Sequence, residues 1–259
     1  MALESFTMKA GVKATSQCKT FVADVAAALH HAADPSRTPA MQAYMRNQFD
    51  FLGIPTPRRR AATASLLRAF QPGTSRELLD AARMLWQQPE REFQYVAVDL
   101  LARYRKTLSP ADFPALLALV RKKAWWDSVD GLAVVVGSIV RRYPRKAQPI
   151  MDRAVFDRNL WIRRVAMLHQ LGWRADTDTK RLYAYAEQLG SEKDFFIQKA
   201  IGWALRDYAR HDPEAVRAFL RRAGARLYAL SVREASRHLH TRSSPSSTEP
   251  GHCYSPQTG

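Results

Sequence analysis

The stretch Lys123-Ala-Trp-Trp-Asp-Ser-Val-Asp130 places two indole rings and two carboxylates in one short segment. Trp126 and Asp130 are four residues apart, so they share one face if the segment is helical. An aromatic ring beside a carboxylate attracts a cation, because the negative face of the ring and the anion favour the same charge. Aromatic residues at helical spacing more often pack in a core, so a plain packing role for both tryptophans is the alternative.

The register of this stretch recurs along the chain. Segments aligned with Trp125-Trp-Asp-Ser-Val129 begin at Phe93, Trp161, Phe196 and Ser231, and successive starts are 32, 36, 35 and 35 residues apart. A period in the mid-thirties with two helices per unit is typical of TPR and HEAT-like solenoids. The sequence therefore predicts an all-α, HEAT-like helical-repeat solenoid whose inner helices line one concave, basic groove.

Helix starts are also marked locally. Thr38, Thr56, Ser109 and Asp212 each precede a proline, a pattern typical of an N-cap followed by the first helical residue. The valine run 134–136 continues into apolar residues at helical spacing, so we predict a helix there rather than a strand.

The ends of the chain differ from its middle. Residues 1–20 show no sustained periodicity and predict a loose leader. Residues 240–259 are of low complexity, rich in Ser and Pro and poor in apolar side chains, so we predict a disordered tail. The repeat domain is expected over 21–239.

The net charge narrows the class of partner. Forty Lys and Arg against 24 Asp and Glu give a formal charge of +16, which favours nucleic acid, or less specifically an anionic membrane. No apolar run is long enough to span a bilayer and no signal peptide opens the chain, so we expect a cytoplasmic, nucleoid-associated protein without a membrane partner. Cys18 and Cys253 predict neither a disulfide nor a zinc site, and no histidines share metal-ligand spacing, so no metal or cofactor is expected.

Equivalent positions of the repeats converge on one surface. The predicted inner helices bring together Trp126, Asp130, Arg163 or Arg164, Lys199 and Trp203. Recurring basic residues can follow a phosphate backbone. Further cations expected around them are Arg58, Arg59, Arg60, Arg121, Lys122, Lys123, Arg141 and Arg142.

Five motifs in this order resemble the AlkD-like family of bacterial DNA alkylation-repair glycosylases, which are built from HEAT-like repeats. The resemblance covers residues 21–239. The motifs are Tyr44-Met-Arg-Asn-Gln-Phe-Asp-Phe-Leu-Gly-Ile-Pro-Thr-Pro-Arg58, Trp125-Trp-Asp-Ser-Val-Asp130, Asn159-Leu-Trp-Ile-Arg-Arg-Val-Ala166, Phe195-Phe-Ile-Gln-Lys-Ala-Ile-Gly-Trp-Ala-Leu-Arg206 and Leu230-Ser-Val-Arg-Glu-Ala-Ser236.

The resemblance implies specific roles. It places the catalytic aspartate at Asp130, the groove tryptophans at Trp126 and Trp203, the phosphate-contacting arginine at Arg164 and an aromatic residue near the DNA at Tyr44. The implied activity is hydrolysis of the N-glycosidic bond of 3-methyladenine or 7-methylguanine in duplex DNA, in base excision repair. The family also implies that the base is not flipped into a pocket. A monomer is expected, because a groove that wraps a duplex needs no second subunit.

The chemistry is consistent with a single carboxylate. Purines alkylated at N3 or N7 carry a positive charge and leave without a general acid, whereas ordinary glycoside cleavage needs two carboxylates. An aspartate between two aromatic faces stabilises the oxocarbenium ion that forms on the deoxyribose.

Other functions fit part of the pattern. A non-catalytic HEAT-repeat protein that binds branched or distorted DNA would have the same charge, but it would not need the aspartate and both tryptophans. A protein–protein scaffold would explain the repeats but not the charge of +16. The sequence lacks the aromatic-rich β-sheet pattern of common RNA-binding modules.

Overall fold

The computed structural model describes residues 16–237 and residue 239, and within them every regular element is a helix. One isolated parallel bridge, between Asp50 and Glu90, is the only β-type pairing of the described residues. The α-helices in chain order are α1 Ser16–His31, α2 Thr38–Tyr44, α3 Thr56–Ala69, α4 Ser75–Gln87, α5 Arg91–Arg103, α6 Phe113–Arg121, α7 Trp126–Arg142, α8 Pro144–Ala154, α9 Leu160–Leu168, α10 Thr179–Gln188, α11 Phe195–Ala209, α12 Pro213–Ala223 and α13 Ala229–Ser236.

The helices form the repeat stack that the sequence predicts. Helices α5, α7, α9, α11 and α13 make one ladder in which each packs on the next, while α4, α6, α8 and α10 pack on α5, α7, α9 and α11. The ladder helices run in the same direction. Arg91, at the start of α5, pairs with Asp127 at the start of α7, and Arg142, at the end of α7, donates to the carbonyl of Arg105 just beyond α5.

Glycines allow the ladder helices to approach closely. A Cβ on Gly137 of α7 would collide with the carbonyl oxygen of His169 after α9, and a Cβ on Gly202 of α11 would meet Ser231 and Glu234 of α13. Both sites therefore need a residue without a side chain. These close contacts fix how near adjacent ladder helices lie to each other, and therefore which of their residues meet.

Three of the four predicted helix starts differ from the structure by one residue or by one turn. Thr38 and Thr56 are the first helical residues rather than the N-caps, and the hydroxyl of Thr38 donates to the carbonyl of Phe51 instead. Ser109 caps a short 3-10 turn, 110–112, that runs into α6. Asp212 caps α12 as predicted, by accepting from the amide of Ala215 at 2.9 Å.

The first helix begins within the expected leader. Helix α1 starts at Ser16, and Cys18 is fully buried against the core. Residues 16–20 are thus part of the fold, because Cys18 continues the buried face formed by Phe21 and Val22. Residues 1–15 and the predicted tail 240–259 lie outside the described residues.

Several cations expected around the groove instead tie neighbouring repeats together. Arg59 pairs with Asp99 at 2.9 Å, Arg121 with Asp157 at 2.6 Å, and Arg141 with Asp176. Each pair joins positions 35 to 40 residues apart, which is about one repeat. These arginines therefore have a partner within the protein.

Candidate functional site: an aromatic and acidic cleft on the inner helices

A cleft of about 560 Å³ opens on the inner ladder. It includes Tyr44, where α2 ends, and Arg237, which follows α13, although these residues lie near opposite ends of the described chain. The stack must therefore curve, and this cleft is its concave side. Its lining residues are Tyr44, Arg46, Trp125, Trp126, Asp130, Arg164, Phe195, Phe196, Lys199, Trp203, Arg206, Glu234 and Arg237.

The start of α7 is held by a buried cation. Arg91 is fully buried and donates to both carboxylate oxygens of Asp127, to the hydroxyl of Ser128 at 2.7 Å and to the carbonyl of Lys123 at 2.7 Å. The hydroxyl of Tyr95 also donates to Asp127, at 2.5 Å. Asp127 is thus an ion-pair carboxylate, and this network fixes the first turn of the helix that carries Trp126 and Asp130.

Asp130 lies one turn further along α7 and is joined to α9. Its Oδ1 accepts from Nε of Arg164 at 2.7 Å and its Oδ2 accepts from Nη2 at 2.9 Å. Nη1 of Arg164 donates to the carbonyl of Phe196, where α11 begins. The Arg164 side chain is 5% exposed and that of Asp130 is 13% exposed. One arginine therefore connects three consecutive inner helices at the floor of the cleft.

The protonation equilibrium of Asp130 is displaced by this setting. Burial raises the pKa of its carboxyl group, the hydrogen bonds and charge of Arg164 lower it, and the negative charge of Asp127 raises it again. The net direction is upward. A carboxylate in this position is poorly hydrated, so it interacts strongly with any cation that enters the cleft.

A second group of charges lies beside Trp203, across the cleft from α7. The carboxylate of Glu234, only 4% exposed, accepts from Lys199 and Arg206 at 2.7 Å each and from Arg237 at 2.9 Å. Burial raises the pKa of Glu234, but the hydrogen bonds from Lys199 and Arg206 outweigh it and the net shift is downward. With three cations on one carboxylate, this wall of the cleft keeps an excess of positive charge.

Tyr44 forms the opposite wall. It is 71% exposed and packs edge-on against Trp126, with ring centroids 6.2 Å apart. Beyond these two rings lies a second, larger cleft of about 750 Å³ that reaches Arg59 and Asp99. Arg46, two residues after Tyr44, adopts a left-handed backbone conformation with φ of 54° and lines the first cleft.

The structure separates the two arginines that the sequence left as alternatives. Arg163 does not line the cleft; its guanidinium pairs with Glu192 at 2.8 Å and donates to the carbonyl of Asp157 at 2.7 Å. Neighbouring residues on a helix point in different directions, so only one of the pair can face the groove. Arg164 therefore lines the cleft and Arg163 does not, so Arg163 is left out of the candidate site.

The remaining tryptophans are mainly packing residues. Trp125 lies in a cluster with Trp161 and Phe196, whose ring centroids are 5.7 and 5.0 Å from its own. Trp161 is 9% exposed, as expected for the core position of its repeat. Trp125 also has an edge on the cleft, so it supports the site from behind.

Four charged residues of the cleft were not identified as site residues from the sequence: Arg46, Arg206, Glu234 and Arg237. Glu234 could have been found, because it continues the 34- to 35-residue spacing that links Asp130, Arg164 and Lys199. Arg46 gives no such signal, since it lies in a loop outside the repeats.

Two further properties concern the described residues as a whole. None of their helices is both long and apolar enough to cross a membrane. No three of their His, Cys, Asp or Glu side chains are grouped so that they could hold a metal ion.

The arrangement can hold a cationic group against a polyanion. Asp130 and the faces of Trp126 and Trp203 attract positive charge at the centre of the cleft. The cations around Glu234 and the exposed Arg46 can contact phosphates on either side.

Comparisons with known proteins identify the family to which the chain is similar. The model of a family described as DNA alkylation repair enzyme matches residues 25–239. A solved structure of a predicted DNA alkylation repair enzyme from Enterococcus faecalis is 35% identical, covers 81% of this chain and 98% of its own, and superposes with a TM-score of 0.74. The structure of AlkD2 from Streptococcus mutans is 21% identical over 66% of this chain and 86% of its own, with a TM-score of 0.53, and supports the fold alone. No curated protein gives a significant match.

The family match runs from within α1 to just beyond α13 and includes each helix that lines the cleft. The resemblance of the five motifs and the all-helical repeat fold agree with it. The chain belongs to the AlkD-like family of DNA alkylation repair enzymes.

Proposed function

We propose that this protein is a DNA glycosylase that releases cationic N3- and N7-alkylated purines, such as 3-methyladenine and 7-methylguanine, from duplex DNA without a metal or cofactor. The observation that carries the proposal is the position of Asp130, a poorly hydrated carboxylate on the floor of an aromatic cleft whose walls are basic. The protein acts as a monomer in this proposal, in the bacterial cytoplasm at the nucleoid.

The alkylated base is itself the leaving group. Its positive charge is neutralised as the C1′–N bond breaks, and a positive charge develops on the deoxyribose. Asp130 stabilises that charge electrostatically, and the faces of Trp126 and Trp203 add to the effect. Asp130 also orients the water that attacks C1′. A neutral base leaves slowly without acid help, so the chemistry itself selects the charged lesion.

Arg164 has two roles in this proposal. It holds the Asp130 carboxylate in place with two of its five N–H groups, and a third is used on the carbonyl of Phe196. Two N–H groups remain, one on each terminal nitrogen, and these suit a phosphate oxygen. The phosphate beside the lesion and the catalytic carboxylate are thus positioned by the same guanidinium.

No base-enclosing pocket is needed for this reaction. The family resemblance suggests that the lesion stays stacked while the backbone around it is gripped, by Arg164 on one side and by Tyr44 and Lys199 on the others. The cleft is open to solvent rather than enclosed, which supports contact with the sugar rather than capture of a flipped base.

The proposal is tested by base release from a duplex with a single 7-methylguanine, in EDTA. Wild type should release the base, and Asp130→Asn should slow release roughly ten- to thousand-fold, or about 1.4 to 4 kcal/mol, while DNA binding stays nearly intact. Asp24→Asn is the matched control, because Asp24 is exposed on α1 and lines neither cleft. If wild type binds the duplex but does not release the base, a non-catalytic DNA-binding protein is favoured. If Asp130→Asn is as active as wild type, Asp130 is not the catalytic carboxylate.

A further inference from the structure

A second basic surface lies at the far end of the ladder helices. It is formed where α5 and α7 end, where α8 begins and where the chain turns after α9. We call it the edge patch; its exposed cations are Arg103, Arg105, Lys106, Arg141, Arg142, Arg145, Lys146 and Arg174.

The parts of the edge patch are contiguous. Arg142 donates to the carbonyls of Arg105 and Leu108, which joins the end of α7 to the turn after α5. Arg141 pairs with Asp176 and so reaches the turn that carries Arg174. Only Pro144 separates Tyr143, which directly follows α7, from Arg145 on α8.

The edge patch is poor in compensating negative charge. Of its eight cations, only Arg141 has an ion-pair partner among the described residues. By contrast, four of the five cleft cations, Arg164, Lys199, Arg206 and Arg237, are paired, and only Arg46 has no ion-pair partner among the described residues. Tyr143 is 41% exposed within the patch and the guanidinium of Arg142 lies over its ring, 5.3 Å from the centroid.

Folding does not account for two of these cations. Arg145 and Lys146 lie in the first turn of α8, directly after Pro144 at its first position. Positive charge there opposes the helix dipole and is unfavourable for the helix. Exposed basic side chains that weaken their own helix are better explained by an external anion than by stability.

The edge patch is also distinct from the cleft in position. Asp130 and Arg142 are twelve residues apart on α7, or about 18 Å along the helix axis. Arg145 and Lys146 lie further still, on an outer helix. None of the residues of the edge patch lines either of the two clefts on the inner side.

We propose that the edge patch binds a second DNA duplex while the cleft holds the first. An excess of unpaired cations beside an exposed aromatic ring fits a phosphate backbone and recognises no base sequence. Such a surface lets the protein pass directly from one DNA segment to another. The inference rests on the proposed DNA-binding role of the cleft.

The test compares wild type with the double variant Arg145→Ala/Lys146→Ala, using two short undamaged duplexes that carry different fluorophores. Wild type should bring both duplexes together at moderate salt, giving energy transfer and a limit of two duplexes per protein. The variant should lose most of the energy transfer and keep the affinity for the first duplex within about two-fold. Arg68→Ala/Arg76→Ala, which removes the same charge from exposed positions on α3 and α4, should behave as wild type.

Other outcomes separate the two proposals. One duplex per protein, or an equal loss of first-duplex affinity in the variant, would overturn the inference and make the edge patch a flank of the cleft site. Equal loss of energy transfer in the Arg68→Ala/Arg76→Ala control would also overturn it, since net charge alone would then be responsible. Absence of any duplex binding by wild type would instead refute the proposed function of the cleft.

Discussion

Arg164 holds Asp130 through two parallel hydrogen bonds of 2.7 and 2.9 Å across the gap between α9 and α7. A bidentate pair of this kind fixes the carboxylate in orientation as well as in position. It also means that any change to the arginine alters both the proposed phosphate contact and the charge state of the proposed catalytic group.

Replacing Arg164 should weaken DNA binding more than replacing its neighbour. Arg164→Ala removes one phosphate contact, so the slope of log K against log salt should fall by about 0.9. Arg163→Ala is the matched control, since Arg163 pairs with Glu192 outside the cleft and its loss should leave the slope unchanged. Titrations of an undamaged duplex at several salt concentrations measure the slope for each variant. A larger slope change in Arg163→Ala would reverse the assignment.

The pH dependence of base release should reflect the ion pair. Asp130 works as an anion, so activity falls as the pH drops through its pKa, which burial raises above its usual range. Arg164 lowers that pKa, so Arg164→Gln should move the acid limb to higher pH. Single-turnover rates on 7-methylguanine between pH 4 and 8, corrected for uncatalysed release, give the midpoints. An unchanged midpoint in the variant would mean that another group controls the acid limb.

The face of Trp203 should contribute to the rate. Trp203→Ala removes the ring and should slow base release by roughly 2- to 30-fold, the equivalent of about 0.5 to 2 kcal/mol for a cation–π contact. Trp203→Phe keeps a smaller ring, so its rate of base release should lie between those of wild type and Trp203→Ala. Single-turnover rates and thermal melting together decide the matter: a loss of rate in Trp203→Ala that is fully accounted for by unfolding would leave Trp203 a packing residue.

Large adducts should be accepted. Because the cleft beside Asp130 is open and the proposed mechanism does not enclose the base, the size of the alkyl group matters little. We expect release of a bulky cationic N7 adduct at a rate within about ten-fold of 7-methylguanine, once the difference in uncatalysed release is removed. Release of the methylated base without release of the bulky one would contradict an unflipped mechanism.

His169 should make stability depend on pH. It is buried, its Nδ1 lies 2.6 Å from the carbonyl of Ala166, and burial lowers its pKa to about 4. The unfolded chain takes up a proton near pH 6.5 but the folded chain does not, so stability is lost as the pH falls from about 6.5 to about 4. The loss should approach about 3 kcal/mol. Urea unfolding across this range should show a flatter dependence in His169→Phe; an identical dependence would assign the effect to other groups.

The sequence was informative wherever a pattern repeats. The period of about 35 residues predicted the ladder, and the spacing from Trp126 to Asp130 predicted one face of α7. The same four-residue spacing predicted that Lys199 and Trp203 share one face of α11, and both line the cleft together with Trp126 and Asp130. In each case the helical period determines which side chains share a surface, and that information is local.

The parts that the sequence did not predict depend on contacts between helices. The choice between Arg163 and Arg164 depends on how α9 rotates against α7, which the close approach at Gly137 helps to set. The pairing of Asp130 with Arg164 and the network around Arg91 join residues more than 30 positions apart. The start of α1 was missed because Cys18, a small residue, marks a buried helical face less clearly than a larger apolar side chain.

The curvature of the ladder has a mechanical consequence. Each inner helix packs mainly on its neighbours, so in the DNA-free protein the helices at either end can unfold before the rest. The cleft, however, is shared by Tyr44 near the first helices and Arg237 after the last. A duplex bound there contacts both ends of the helical stack at once. Unfolding at one end would then also have to disrupt contacts that the duplex makes with the other end.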